Sequence, residues 1–306
     1  MLGIILMSYG SPQSIDEVES YFTHILNGRT PSPEQLNRVV EQFRQLETAD
    51  PLGPYTEQQA EALQKLLQLT YNQEVKVCAG FKHASPYIED ALLKLASEKV
   101  THLATLPLTP IYSDTGVGVY QEAVRKCLEQ NNIQIPVTDI QHWHLHPEYI
   151  SALARRVSTA VRWLSEDARA KSTVVFATHS KPGTVEKNQD YCGQFFAMAK
   201  QIADQLGLEH WRIAYRSARP NQPWLGPDVK EAIREEAAKG QKGVVVCDLL
   251  TVAANLEVLH EIGRDCKKLA EELDVELVRS EFLNDSADLI FALATIVQEQ
   301  LQQIKA

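Results

Sequence analysis

Two groups of side chains in this sequence have types and spacings suited to chemistry. The first is His179, which ends the apolar run Val174-Val175-Phe176-Ala177-Thr178 and precedes Ser180-Lys181-Pro182. A histidine placed there can accept a proton or hold a metal, with a neighbour orienting its second ring nitrogen. A turn residue capping the next element is the plainer alternative. The second group is Glu257, Glu261 and Asp265, spaced i, i+4, i+8. On an α-helix each such step turns by about 40° and rises about 6 Å, so the three carboxylates line one face. Like charges at that spacing repel, and a row of oxygens suits a divalent cation or a proton path. Arg264, Lys267 and Lys268 lie nearby, so a solvated face is the competing reading. Glu257 is flanked by Leu256, Val258 and Leu259, and partial burial with a raised pKa is expected there.

Weaker signals surround these. His142, His144 and His146 alternate as strand residues do, a pattern open to a metal or to a wet hinge between domains. The segment Gln222-Pro223-Trp224-Leu225-Gly226-Pro227-Asp228 reads mainly as a structural turn, with Pro227 and Asp228 opening a helix. Gly116-Val117-Gly118 is a lone GxG. There is no GxGxxG, Walker, GxSxG or HExxH pattern, which disfavours nicotinamide, nucleotide-triphosphate, α/β-hydrolase and zincin chemistry.

The elements that must position these groups are short apolar runs alternating with helical patterns. Strands are expected at residues 2–7, 74–81, 103–108 and 135–140, then at 173–178, 211–215, 243–249 and 276–278. Helices are expected at 33–46, 56–69, 86–98 and 119–130, then at 191–206, 228–238, 253–273 and 286–304. Continuous apolar strands separated by helices imply parallel sheets covered on both faces. The fold class is therefore α/β, with two doubly wound domains at 1–146 and 147–306, each around a mainly four-stranded parallel sheet. The C-terminal helix is expected to be able to pack back on the first domain. Ligands of such sheets bind beyond the carboxyl ends of the strands, where His179 stands.

Composition narrows the classes. The 306 residues fit two domains, and a hydrophobic content of 44% with 23% charged residues excludes disorder. A net charge of −10 argues against nucleic acid and anionic membrane surfaces as partners. Five cysteines without a CxxC pair point to a reducing compartment, expected to be the cytoplasm. No apolar stretch approaches the ~18 residues of a spanning helix, so no stable membrane insertion is expected.

The segments resemble the ferrochelatase family nearly end to end. Met7-Ser8-Tyr9-Gly10-Ser11-Pro12 looks like its opening loop, and Pro51-Leu52 with Thr56-Glu57-Gln58-Gln59-Ala60 like its SPL…T.QQA segment. Gly80-Phe81-Lys82-His83 with Pro86-Tyr87-Ile88-Glu89-Asp90 resembles GLKH…P.IED. His179-Ser180 stands where the family has its catalytic His, and Ser217 with Pro223–Asp228 matches QS…PWLGPD. Leu256-Glu257-Val258-Leu259 matches HLEVL. Tyr9 aligns the chain with the soluble Gram-positive type that metallates coproporphyrin III.

The resemblance implies Rossmann-like, chelatase-type domains and a lyase of haem biosynthesis that inserts Fe2+ into a porphyrin, coproporphyrin III in preference to protoporphyrin IX. It implies His179 and Glu257 as the catalytic pair, and His179, Glu257, Glu261 and Asp265 as metal contacts or a proton exit. Tyr9, Arg29, Lys82, Tyr120, Ser217 and Trp224 become the expected porphyrin contacts, with Leu6 and Ile111 as further walls of the slot. Fe2+ is then a substrate, with no permanently bound cofactor and no iron–sulfur cluster. The partners are the porphyrin and the haem product, and the chain is expected to be a monomer.

The match also has departures. Two adjacent arginines of the subgroup are Leu26-Asn27, which leaves Arg29, Arg44, Lys82 and Arg216 to bind propionates. Asp-His before Leu-Glu is Ala254-Asn255. The usual Gln-Ser is Arg216-Ser217, and Pro-x-Gly-Phe is Asp248-Leu249-Leu250-Thr251. These changes keep two alternatives open: a chelatase for another metal such as cobalt, and a non-enzymatic haem or porphyrin-binding protein.

Overall fold

The computed structural model describes residues 1–45, 51–71, 74–219 and 222–305. Strands β1 (Leu2–Ser8), β2 (Val75–Phe81), β3 (His102–Pro107) and β4 (Val137–Asp139) form one parallel sheet in the order β2-β1-β3-β4. Strands β5 (Ser172–His179), β6 (Trp211–Arg216), β7 (Gly243–Asp248) and β8 (Glu276–Arg279) form a second in the order β6-β5-β7-β8. The two sheets share one topology, and each reverses its winding beside its first strand. β1 and β7 are buried along their whole length, as parallel strands covered on both faces require.

The helices are α1 (Val18–Ile25), α2 (Pro33–Gln45), α3 (Leu52–Thr70), α4 (Ile88–Ser97), α5 (Val119–Gln130), α6 (Pro147–Trp163), α7 (Glu166–Ala170), α8 (Gln189–Leu206), α9 (Val229–Ala238), α10 (Leu256–His260), α11 (Lys267–Glu272) and α12 (Ala287–Lys305). Leu46, the last residue of the expected 33–46 helix, lies outside the described residues. Three helices were not foreseen: α1, α6 and α7. α6 has a recognisable signature, Pro147 in its first turn and Ile150, Leu153, Ala154 and Val157 buried on one face. The expected helix at 253–273 is interrupted. A π-helical turn, Glu261–Cys266, separates α10 from α11, and such turns are frequent at functional sites.

The chain divides into two compact units, Met1–Trp143 with Ala253–Leu256 and Asn284–Ala306, and His144–Val252 with Glu257–Leu283. In the first unit, Ile5, Met7, Ile88, Leu92, Leu103 and Val124 pack between sheet and helices, and α12 ties to α3 through Gln298 Nε2 donating to Thr70 Oγ1 at 2.9 Å. In the second, Val175, Ala214, Ile233, Val244, Val246 and Ile262 do the same. No helix among the described residues is long and apolar enough to cross a membrane.

Candidate active site

The second unit gathers its reactive groups at the carboxyl ends of three adjacent strands. His179 closes β5, in register with Arg216 at the end of β6. Asp248 closes β7 on the other side of β5. Glu257 follows in α10. His179 Nδ1 lies 2.6 Å from the carbonyl oxygen of Ser180. A carbonyl only accepts, so Nδ1 carries the hydrogen and Nε2 presents its lone pair in the neutral ring. Nε2 faces Oε1 of Glu257 at 3.5 Å. Two ligand atoms at that separation, each about 2.1 Å from a divalent cation, would subtend about 110° at it. The same gap accommodates a proton carried on Nε2 and directed at the carboxylate.

Arg216 is the largest departure from expectation here. Its side chain is 3% exposed, too deeply set to meet a propionate. Nε donates to Asp248 Oδ2 at 2.6 Å, Nη1 to Glu257 Oε2 at 2.5 Å, and Nη2 to Thr251 Oγ1 at 3.3 Å. Asp248 Oδ1 in turn accepts from the backbone N–H of Leu250 and Thr251 at 3.2 and 2.9 Å. A buried guanidinium costs several kcal/mol in lost hydration unless it is paired this fully.

The expected rise in the Glu257 pKa is reversed. Although 48% of its side-chain surface is accessible, protein crowds the carboxyl and desolvation opposes its charge. Arg216 and His179 outweigh that and hold it well below the usual carboxylate range. Glu261 behaves the other way. Burial pushes its pKa up, against the pull of Ser217 and Arg216, and the Glu257 charge adds to the rise. Ser217 donates to both Glu261 oxygens, from its N–H at 3.0 Å and from Oγ at 2.6 Å. To do so it adopts a left-handed φ of 62°, a strained choice for serine of the kind found at functional sites. Two neighbouring carboxyls with opposite shifts are a division of labour between a fixed charge and a proton carrier.

The acidic row is thus not gathered into one cluster. Each member has its own cation or donor, Asp265 taking Lys230 Nζ at 2.8 Å. Among the described residues no three His, Cys, Asp or Glu side chains are placed to hold a metal together, for the row or for His142, His144 and His146. The reason is the π turn, which changes the rotation per residue, and the basic groups that β6 and α9 bring to the row. The backbone on either side of Trp224 braces the loop after His179: Leu225 N–H donates to Lys181 O at 3.0 Å and Gly183 N–H to Pro223 O at 2.9 Å. The Trp224 indole nitrogen is buried without a hydrogen-bond partner. Asp228 caps α9 through Lys230 N–H at 2.8 Å.

The first unit builds a second cluster at the ends of β1 and β2. His83 N–H donates to Tyr9 O at 3.0 Å. The Tyr9 and His83 rings lie 4.5 Å apart, and Nδ1 of His83 meets Nδ1 of His24 at 2.8 Å. Burial, with Lys82 and His24 adding to it, pushes the His83 pKa down to about 3, so it is a neutral brace. Tyr9 keeps 41% of its surface exposed and is open to a ligand. Tyr120 is not: it is buried in the core, and burial raises its pKa. Lys82 Nζ stands 5.8 Å from that ring's centre, so Tyr120 supports Lys82 rather than presenting its own ring. Leu6 and Ile111, expected as walls of the slot, are fully buried. Arg29 and Arg44 are exposed, and Arg29 Nε donates to Leu26 O at 3.3 Å.

Sequence and structure comparisons identify the family and the fold. The ferrochelatase family model matches residues 1–301. A ferrochelatase of Herpetosiphon aurantiacus is 34% identical over 97% of this chain and 98% of its own length. A coproporphyrin III ferrochelatase of Bacillus pumilus is 31% identical over 99% and 98%. Among solved structures, SirB from Bacillus subtilis with Fe3+ superposes with a TM-score of 0.63 at 14% identity, covering 98% of this chain and 95% of that one. That last likeness establishes the two-domain Rossmann-like fold. The chain belongs to the ferrochelatase family, lyases that insert a metal ion into a porphyrin.

Proposed function

We propose that this protein inserts Fe2+ into coproporphyrin III in preference to protoporphyrin IX, with the proton chemistry at His179 and Glu257. The observation that carries the reading is the 3.5 Å approach of His179 Nε2 and Glu257 Oε1, with the opposite ring nitrogen tied to Ser180 O. Metallation releases two pyrrole protons as the ring nitrogens bind the metal. The Nε2 lone pair takes a proton, and the N–H so formed points at Oε1. Glu257, held ionised by Arg216, supplies the fixed negative charge that draws in Fe2+. Water takes that proton on to Glu261, whose pKa is raised, and thence to solvent, which frees Nε2 to accept the second pyrrole proton. Nε2 and Oε1 would receive the cation first, and passage of the ion to the ring would free the Nε2 lone pair for the proton.

Fe2+ is thus a substrate, and no resident cofactor enters the scheme. The porphyrin preference is supported by the Bacillus relatives, which are coproporphyrin III ferrochelatases, and by Tyr9 in the opening loop. We place the protein in the cytoplasm, acting as a monomer on porphyrin and haem without nucleic acid. The net charge of −10 and five free cysteines support that setting. The test is anaerobic Fe2+ insertion into each porphyrin, followed in the Soret and Q bands. A kcat/KM at least about 10-fold higher for coproporphyrin III is expected, since a site that pairs extra carboxylates discriminates against a ring lacking them. Equal or reversed values would overturn the preference.

A further inference from the structure

Arg216 and Asp248 lie 32 residues apart in the sequence, and the structure brings them into one contact. Their ion pair measures 2.6 Å and both side chains are buried. Neither residue is intelligible alone. A proline at 248 would leave Nε of Arg216 buried and unpaired, and a glutamine at 216 would leave the buried Asp248 carboxylate without its counter-charge. The pair is also not confined to itself. The guanidinium is planar, so anchoring Nε fixes the direction of Nη1, and Nη1 points at Glu257.

We propose that Arg216 is a positioning residue for metal transfer: held by Asp248, it pins Oε2 of Glu257 and so leaves Oε1 as the oxygen presented to Nε2 of His179. This rests on the reading of His179 and Glu257 as the metallation pair. The chain of contacts is anchored in backbone at both ends. It runs from the Leu250 and Thr251 N–H groups to Asp248, Arg216, Glu257 and His179, and ends at Ser180 O. Glu257 needs such a pin, because a half-exposed glutamate at the start of a short helix otherwise samples several rotamers. Charge explains why the pin has a partner. An unpaired guanidinium beside the site would repel an arriving dication. Asp248 cancels it and leaves the Glu257 charge for the metal.

Three variants test this: Arg216→Gln, Arg216→Lys, and Arg216→Gln with Asp248→Asn. The double change removes both buried charges and keeps the fold accessible to measurement. For each, kcat and KM for porphyrin, the thermal midpoint, and Co2+ affinity without porphyrin (from the cobalt d–d bands) are recorded. Arg216→Gln is expected to lower kcat about 10- to 100-fold, with the porphyrin KM nearly unchanged. It should weaken Co2+ binding about 10-fold, as loss of an orienting partner does. Lysine keeps the charge without the fork and should not rescue kcat. The double variant should recover the thermal midpoint but neither kcat nor cobalt affinity. A double variant with wild-type kcat and cobalt affinity would overturn the proposal and leave Arg216 a device of the fold. An effect on KM alone would overturn it in favour of substrate binding. If the wild-type protein metallates no porphyrin, the functional reading fails, and the cobalt series still decides the pin: equal affinity in wild-type and double variant overturns it.

Discussion

Replacing Ser217 by glycine isolates the proton-carrying end of the site. Ser217 holds Glu261 with two donors, its N–H and its Oγ. Its φ of 62° is one that glycine adopts freely, so the backbone and the N–H bond are expected to stay. What is lost is one hydrogen bond of 2.6 Å to a carboxylate. A bond to a charged group contributes about 1.5–3 kcal/mol, and 1.36 kcal/mol corresponds to one pKa unit. Ser217 now pulls Glu261 down against a pKa already raised by burial. Removing Oγ should therefore raise it further. A base must be ionised to accept a proton, so a higher pKa means a smaller active fraction at a given acid pH. The acid limb of the kcat–pH profile should move to higher pH, with the plateau little changed. The assay is steady-state Fe2+ insertion across the acid and neutral range. Relief of backbone strain and the greater unfolded-chain freedom of glycine nearly offset each other at about 1 kcal/mol each, so a fall in the thermal midpoint should reflect the lost hydrogen bond alone. An acid limb that superimposes on wild type, or moves to lower pH, would refute Glu261 as the proton acceptor.

Three further outcomes follow from other parts of the molecule. Arg29→Ala should raise the porphyrin KM several-fold and leave kcat alone, since an exposed guanidinium that binds a propionate acts equally on ground and transition states; an unchanged KM removes Arg29 from the site. Glu236, buried under Arg212, Lys239 and Thr173, is opposed by burial but held below its ordinary pKa by those three donors. A lowered pKa gives stability that is present above the unfolded value of 4.5 and lost as pH falls through the folded one. Glu236→Gln should therefore cost about 1–2 kcal/mol at neutral pH and progressively less in acid, read from thermal melts at both. Gly10→Ala should destabilise the first unit by about 2 kcal/mol or more in chemical denaturation, because φ is +87° and the new Cβ would lie 2.8 Å from Cβ of Phe81.

The sheets were legible because buried parallel strands are written as unbroken apolar runs, and in the second unit the runs expected at 173–178 and 243–249 end where β5 and β7 present His179 and Asp248. His179 and Glu257 were legible from strand-end position and motif together. The state of Glu257 was not, because its pKa depends on Arg216, which is distant in sequence and brought close only by β6 pairing with β5. A charge ending β6 and an opposite charge ending β7, on either side of the His179 strand, was the signal that could have found that pair. The acidic row looked like one face because an α-helical period was assumed through Glu261–Cys266, where the backbone is π-helical. Tyr120, expected among the porphyrin contacts, is enclosed by the core of the first unit, a burial that no local sequence pattern announces.

The central claim is that His179 accepts a porphyrin proton beside a fixed Glu257 carboxylate. Its most direct test measures Fe2+ insertion and porphyrin affinity side by side in the wild-type protein and in His179→Ala. Loss of a general base lowers kcat about 10²- to 10⁴-fold, so metallation should nearly vanish while the porphyrin dissociation constant stays within a few-fold. Turnover by the variant at the wild-type rate, or porphyrin bound by the wild-type protein and never metallated, would contradict the account.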